Sequence, residues 1–181
     1  VESQGIDWEF SLDQGVSWTR GSGASFVVKG DGAKMIWVRA RDDAGNTSEI
    51  VRVNCVLDTT APTPTISGID ISADTGSSSS DFTTSTASQT VTATLSAALG
   101  AGETLWGSLD GGSTYTDISA SVSTTAVSWA AATLSGSSSI KFQVRDAAGN
   151  AGTTATQAYV LDTTAPTLTL AATAATSGAA T

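Results

Sequence analysis

The sequence predicts an all-β protein assembled from repeated β-sandwich units. Three observations predict it: motifs that return at a fixed spacing, short stretches in which apolar and polar residues alternate, and the absence of any helical apolar period of useful length. Arg41-Asp42-Asp43-Ala44-Gly45-Asn46 returns 104 residues later as Arg145-Asp146-Ala147-Ala148-Gly149-Asn150. At the same spacing, Val56-Leu57-Asp58-Thr59-Thr60-Ala61-Pro62-Thr63 returns as Val160-Leu161-Asp162-Thr163-Thr164-Ala165-Pro166-Thr167. A spacing shared by two separated motifs marks a tandem array, in which one structural unit is copied head to tail.

A third pair, Ser11-Leu12-Asp13-Gln14-Gly15 and Ser108-Leu109-Asp110-Gly111-Gly112, is offset by 97 residues. The second copy therefore holds seven more residues between this motif and the Asp-Ala-Gly-Asn motif, which are expected in a loop or hairpin. One complete unit is expected over 62–165. The latter part of another, without its first strands, precedes it over 1–61, and a third starts over 166–181.

Alternation places the strands. Trp8, Phe10 and Leu12 fall on one face of a strand that runs into the Asp13-Gln14-Gly15 turn, a hairpin signal in which glycine supplies positive φ. Ile36, Val38 and Ala40 form the next stripe, with Trp37, Arg39 and Arg41 pointing the other way. In the second copy Leu105 and Leu109 match Trp8 and Leu12, while Ile140, Phe142 and Val144 match Ile36, Val38 and Ala40. A last strand is expected over 50–57 and again over 154–161, and two earlier ones over 65–71 and 89–96. About seven short strands in some hundred residues is the pattern of an immunoglobulin-like sandwich, so the predicted class is tandem immunoglobulin-like β-sandwich repeats.

Composition and charge narrow the function. The net charge is −9, and residues 59–164 hold two Lys/Arg against eight Asp/Glu. Nucleic acid is not an expected partner, because phosphate binding needs a basic stripe. No apolar run approaches the ~20 residues of a membrane span. The chain has no His, which removes Ser-His-Asp and Cys-His catalysis and the common zinc sites, so an enzyme is not expected. Cys55 stands alone and cannot form an intrachain disulfide, so a bound metal is the expected staple.

The ordered set Ser-Leu-Asp-Gly-Gly, Val-Arg-Asp-Ala-Ala-Gly-Asn and Val-Leu-Asp-Thr-Thr-Ala-Pro-Thr resembles the bacterial immunoglobulin-like repeats of giant RTX-type adhesins exported by type I secretion. The resemblance covers nearly the whole chain, although the glycine-rich nonapeptides of RTX calcium rolls are absent. It implies an extracellular stalk on the bacterial cell surface, as in biofilm adhesins. Ca²⁺ would stiffen its joints, neighbouring repeats would be its partners, and a terminal ligand-binding region would be held away from the cell.

The acids suit such joints on their own chemistry. Asp42, Asp43 and Asn46 are expected in the loop before the last strand, at the end where the chain leaves the sandwich. Asp58 lies in the linker, and Asp70, Asp74 and Asp81 lie in the polar opening of the next unit. Ca²⁺ takes six to eight oxygen ligands from carboxylates, amide and backbone carbonyls and water, and these residues supply them. The alternative is a set of solvated turn residues, since Asp bonds its own backbone two residues on. Asp146, Asn150 and Asp162 repeat the pattern at a second joint, which is incomplete because 165–181 contains no acid.

A second functional reading is a module that binds host or matrix glycans. Trp106 with Tyr115, and Trp18 with Trp37, would form stacking platforms, against the alternative of cross-strand packing. Trp37 beside Arg39 reads as a cation–π neighbour, and Lys29-Gly30-Asp31 as a tight turn. An open sheet edge and apolar face are expected near Phe10, Val27 and Val38, with Thr167-Leu168-Thr169-Leu170 of another chain as a candidate donor strand, against the favoured alternative of a frayed partial unit or a piece of a longer parent.

Overall fold

The computed structural model of the chain describes residues 6–170. These hold thirteen strands, a single 3-10 turn at Ser119–Ser121 and no α-helix. Contacts divide the chain into two compact units. Among the described residues, one comprises 6–64 together with 99–104 and 144–153, and the other comprises 65–98, 105–143 and 154–170.

In the first unit, β1 (Ile6–Ser11), β2 (Thr19–Arg20), β3 (Gly32–Asp42) and β4 (Val51–Leu57) form one antiparallel sheet in the order β2-β1-β3-β4. The registers run from Ile6↔Asp42 to Ser11↔Trp37 and from Val38↔Val51 to Gly32↔Leu57. Residues opposite one another share a face. Trp8, Phe10, Ile36, Val38, Ala40, Val51 and Val53 therefore lie on one face, and Glu9, Trp37, Arg39 and Arg52 on the other. Leu12, expected on the stripe of Trp8 and Phe10, lies past the end of β1 and is exposed.

The polar face is organised around Glu9, which is buried. Its Oε2 accepts from Arg39 Nε at 3.0 Å and Nη2 at 2.9 Å, and its Oε1 from Arg41 Nη1 at 3.2 Å. Burial works against the ionised form, yet the hydrogen bonds and charges of the two arginines hold the carboxyl below its usual range. The Arg39 guanidinium also stacks 3.9 Å from the Trp18 ring, and Arg52 sits 4.6 Å from the ring of Trp37. Trp37 thus takes Arg52, its register partner, rather than the expected Arg39.

The second unit is built on β5 (Ile66–Ile71), β6 (Thr83–Thr84), β7 (Ser88–Leu95), β8 (Thr104–Ser108), β9 (Thr116–Asp117), β10 (Val122–Ser123), β11 (Ala126–Thr133), β12 (Ser138–Arg145) and β13 (Ala155–Leu161), with the first residue of β8 and the last two of β12 grouped with the first unit. One sheet has the order β10-β11-β7-β5, the other β6-β13-β12-β8-β9. Alternate residues of β7 point inward, so Val91, Ala93 and Leu95 are buried with Leu105, Val127, Ile140, Phe142 and Tyr159. The sheets meet where Trp129 of β11 tilts against Phe142 of β12, with centroids 6.1 Å apart. Gly107 is required there, because a Cβ would fall 2.7 Å from the Trp129 ring. The result is an antiparallel, sandwich-like all-β fold. β6 pairs with β13 in parallel, at Thr83↔Val160 and Thr84↔Leu161.

The strands expected over 50–57, 65–71, 89–96 and 154–161 appear as β4, β5, β7 and β13, within a residue or so at each end. β11 was not expected, because three of its eight residues are consecutive alanines, which blur its alternation, and a bulge between Trp129 and Ala132 shifts its phase. The residues that lengthen the second copy follow β9, where the 3-10 turn and β10 lie.

Candidate functional site

The recurring motifs build recurring turns. In Ser11–Ser17 the Asp13 carboxylate accepts from Ser17 N at 2.9 Å and Ser17 Oγ at 2.6 Å, while Ser11 Oγ donates to it at 2.7 Å and accepts from Gly15 N at 2.8 Å. In Ser108–Thr114 the Asp110 carboxylate accepts from Thr114 N at 2.9 Å and Thr114 Oγ1 at 2.6 Å, and Ser108 makes the matching bonds at 2.7 and 2.9 Å. Gly15 and Gly112 are left-handed, as the hairpin reading expects, but so is Gln14, where the other copy has Gly111.

These bonds all favour the carboxylate. The Ser17 hydroxyl and amide hold the Asp13 carboxyl at about 2, and the Thr114 hydroxyl and amide hold that of Asp110 lower still. A carboxyl depressed in the fold stabilises it fully above its unfolded value near ~4, and the contribution fades as pH falls through the folded value. The Ser17 amide resonance is therefore expected to titrate near pH 2 and to lose that step in Asp13→Asn. A midpoint near 4 would show that these bonds are not made in solution.

The Asp-x-x-x-Asn motifs also form one turn twice. Asp42 accepts from Asn46 N at 2.7 Å and Nδ2 at 2.8 Å, and Asp146 accepts from Asn150 N at 2.9 Å and Nδ2 at 2.8 Å. The Asn amide is the main reason that both carboxyls lie below their usual range.

The linker after β4 is held by Asp31, which the sequence places only in a tight turn. Asp31 accepts from Thr59 N at 3.0 Å, Thr59 Oγ1 at 2.7 Å and Thr60 Oγ1 at 2.5 Å, and the Thr60 and Thr59 hydroxyls lower its carboxyl. Asp58 Oδ1 caps Thr60 N at 3.1 Å, while Asp58 O accepts from Asn150 Nδ2 at 3.1 Å. Gly152 completes the contact, because a Cβ there would lie 2.9 Å from Pro62 O. The available signal was topological. A residue just before β3 must lie beside the residue just after its antiparallel partner β4.

That topology corrects the expected position of Asp42, Asp43 and Asn46. β4 runs from Val51, opposite Val38, to Leu57, opposite Gly32, so the 42–46 turn lies where β4 starts, and the chain leaves at the other end of the sheet. β3 is 11 residues long, and at ~3.3 Å per residue Asp42 and Asp58 stand about 30 Å apart. One ion cannot bind both.

The remaining candidates are engaged locally. Asp70 Oδ1 accepts from Ile71 N, Asp74 Oδ2 from Phe82 N at 2.9 Å, Asp81 Oδ1 from Thr83 N, and Asp162 Oδ1 from Thr164 N. Asp74 Oδ1 is buried without a hydrogen-bond partner. Among the described residues, no group of three or more His, Cys, Asp or Glu side chains is arranged to hold a metal. The ten residues named from the sequence therefore do not converge on one donor set.

On the aromatic platforms, each of Trp18 and Trp37 has a ring face taken by a guanidinium, and Trp106 and Tyr115 each have an interaction partner. No protein-family model matches the chain. No curated protein matches it either.

Proposed function

We propose that this chain is a structural extender segment of a large bacterial cell-surface adhesin. It is built of tandem immunoglobulin-like sandwich repeats and acts outside the cell, with neighbouring repeats of the same polypeptide as its partners. It has no catalytic role. The observation that carries this reading is the linker: Asp58-Thr59-Thr60, a motif the sequence repeats at Asp162-Thr163-Thr164, is tied down by Asp31 and Asn150 through four hydrogen bonds. A spacer needs stiff joints, and a short connection tied by four hydrogen bonds to the unit it leaves loses the freedom that a bare polar linker would keep. The twice-formed Asp-Asn and Ser-Asp turns support a repeated unit.

Calcium is the ion the resemblance implies for such joints, and the linker is held by its hydrogen bonds without it. The test combines both. Asp31→Ala is expected to accelerate amide exchange at Thr59 and to broaden the distribution of maximum dimensions in small-angle scattering. Calcium is expected to stabilise the fold by mass action, by about 2.7 kcal/mol at a hundredfold excess over Kd, and so to raise the melting temperature. Unchanged scattering and exchange in Asp31→Ala would sink the stiff-joint reading. Melting and metal content indifferent to chelator would remove calcium from it.

A further inference from the structure

The two units differ in what covers the same face. Ile140, Phe142 and Val144, the sequence counterparts of Ile36, Val38 and Ala40, are 0% exposed, whereas the latter three are only half-buried. Val53 and Cys55 of β4 are exposed on that face, while Tyr159, which stands 104 residues after Cys55, is 2% exposed. Beside Trp8 and Val38 lies an open cleft of about 640 Å³, edged by Gly23, Ala24, Ser25 and Phe26.

Part of a second layer is already present. Phe10 stands in the sequence place of Gly107, and the ring of Phe26 stacks on it with centroids 4.1 Å apart. Trp129 lies over Gly107 in the same way, so Phe26 covers Phe10 of β1 as Trp129 covers Gly107 of β8. The difference is the ladder. Trp129 pairs with Val91 of β7, and Ala132 with Gln89, whereas no strand pairs with Phe26–Lys29 among the described residues. One missing element would satisfy both needs: a strand that pairs with Phe26–Lys29 and lays an alternating apolar row on β1 and β3. β7 does both in the second unit, with β5 at its other edge.

We propose that the first unit is a strand acceptor, whose apolar face and unpaired Phe26–Lys29 run take a second copy of the β5–β7 segment, residues 62–97. The small inner residues of β7 suit it, because Phe10 and Phe26 already fill the space that Trp129 fills over a glycine. This inference rests on the register match between the two units and holds whether or not the chain is an extender.

The test is the full chain extended by a copy of residues 62–97 ahead of Val1, which sets the spacing to Trp8 equal to that between β7 and Leu105. Modification of the Cys55 thiol by a disulfide reagent is expected to slow at least about tenfold, as access comes to require opening of the added strands. Amide exchange at Val27 and Val28 should slow with it. An extension carrying Val→Asp and Leu→Asp at the copied positions of Val91 and Leu95 should protect neither. Equal thiol rates in the plain and extended chains would overturn the proposal. So would an unextended chain that sediments as a dimer with Cys55 already protected, which would assign the face to its own kind. Protection lost on removing residues 166–181 would assign it to the tail and overturn the proposal as well.

Discussion

Phe142→Ala is expected to cost about 3–5 kcal/mol, the range for emptying a fully enclosed aromatic site. The ring is 0% exposed, contacts Trp129 across the two layers, and lies against Gly107, a position with no room to move inward. A void there closes poorly, because β8 and β12 are fixed in one sheet by their ladder. For a domain of about a hundred residues this lowers Tm by on the order of 20 °C. Val38→Ala, at the matching register position of the first unit, removes a half-buried side chain and should cost about 1 kcal/mol or less. Scanning calorimetry on both variants checks this. Similar losses would mean that the face carrying Val38 is covered in solution.

Gln89→Leu is expected to destabilise the second unit by about 2–4 kcal/mol, although it makes an inner-facing residue of β7 more apolar. Gln89 is 2% exposed, and its amide holds the loop that precedes β7. Oε1 accepts from Ala73 N at 2.8 Å and Ser72 Oγ at 3.1 Å, and Nε2 donates to Thr86 O at 2.7 Å and Ala73 O at 3.1 Å. Leucine would strand these backbone groups away from water at about 1–3 kcal/mol each, partly relieved by water entering the loop. Thr84 shares the cluster through a 2.6 Å bond to Ala73 O, so amide exchange at Val160, which pairs to β6, should accelerate together with the loop. A stabilised variant would show that the amide is dispensable.

The strands were legible wherever large apolar residues alternate, as in Ile140-Lys141-Phe142-Gln143-Val144, since such a row has one face to bury. They were illegible where the inner residues are alanines, as in β11, or where a strand has two residues, as in β6. The turns could be read because Asp and Gly have few other reasons to recur at those offsets. Asp31 could not, because its partners stand 28 and 29 residues away and are found only once β3 and β4 are paired. The misplacement of Asp42 has the same source. Proximity along the chain to the last strand suggests proximity to the exit, and an antiparallel partner reverses that order.

The parallel contact of β6 with β13 gives the second unit a direction of strength. A pull applied through Pro64 and Asp162 first meets β5, the edge strand beside β7, and then bears on β6 and β13 together. Because these two run side by side in one direction, tension drags them past each other lengthwise, so Val160 N to Phe82 O and Asp162 N to Thr84 O, each 2.9 Å long, take the load at once rather than in turn. A polypeptide arranged in this way yields by sliding, and its resistance to being stretched is set by a few bonds next to the point where it leaves the unit.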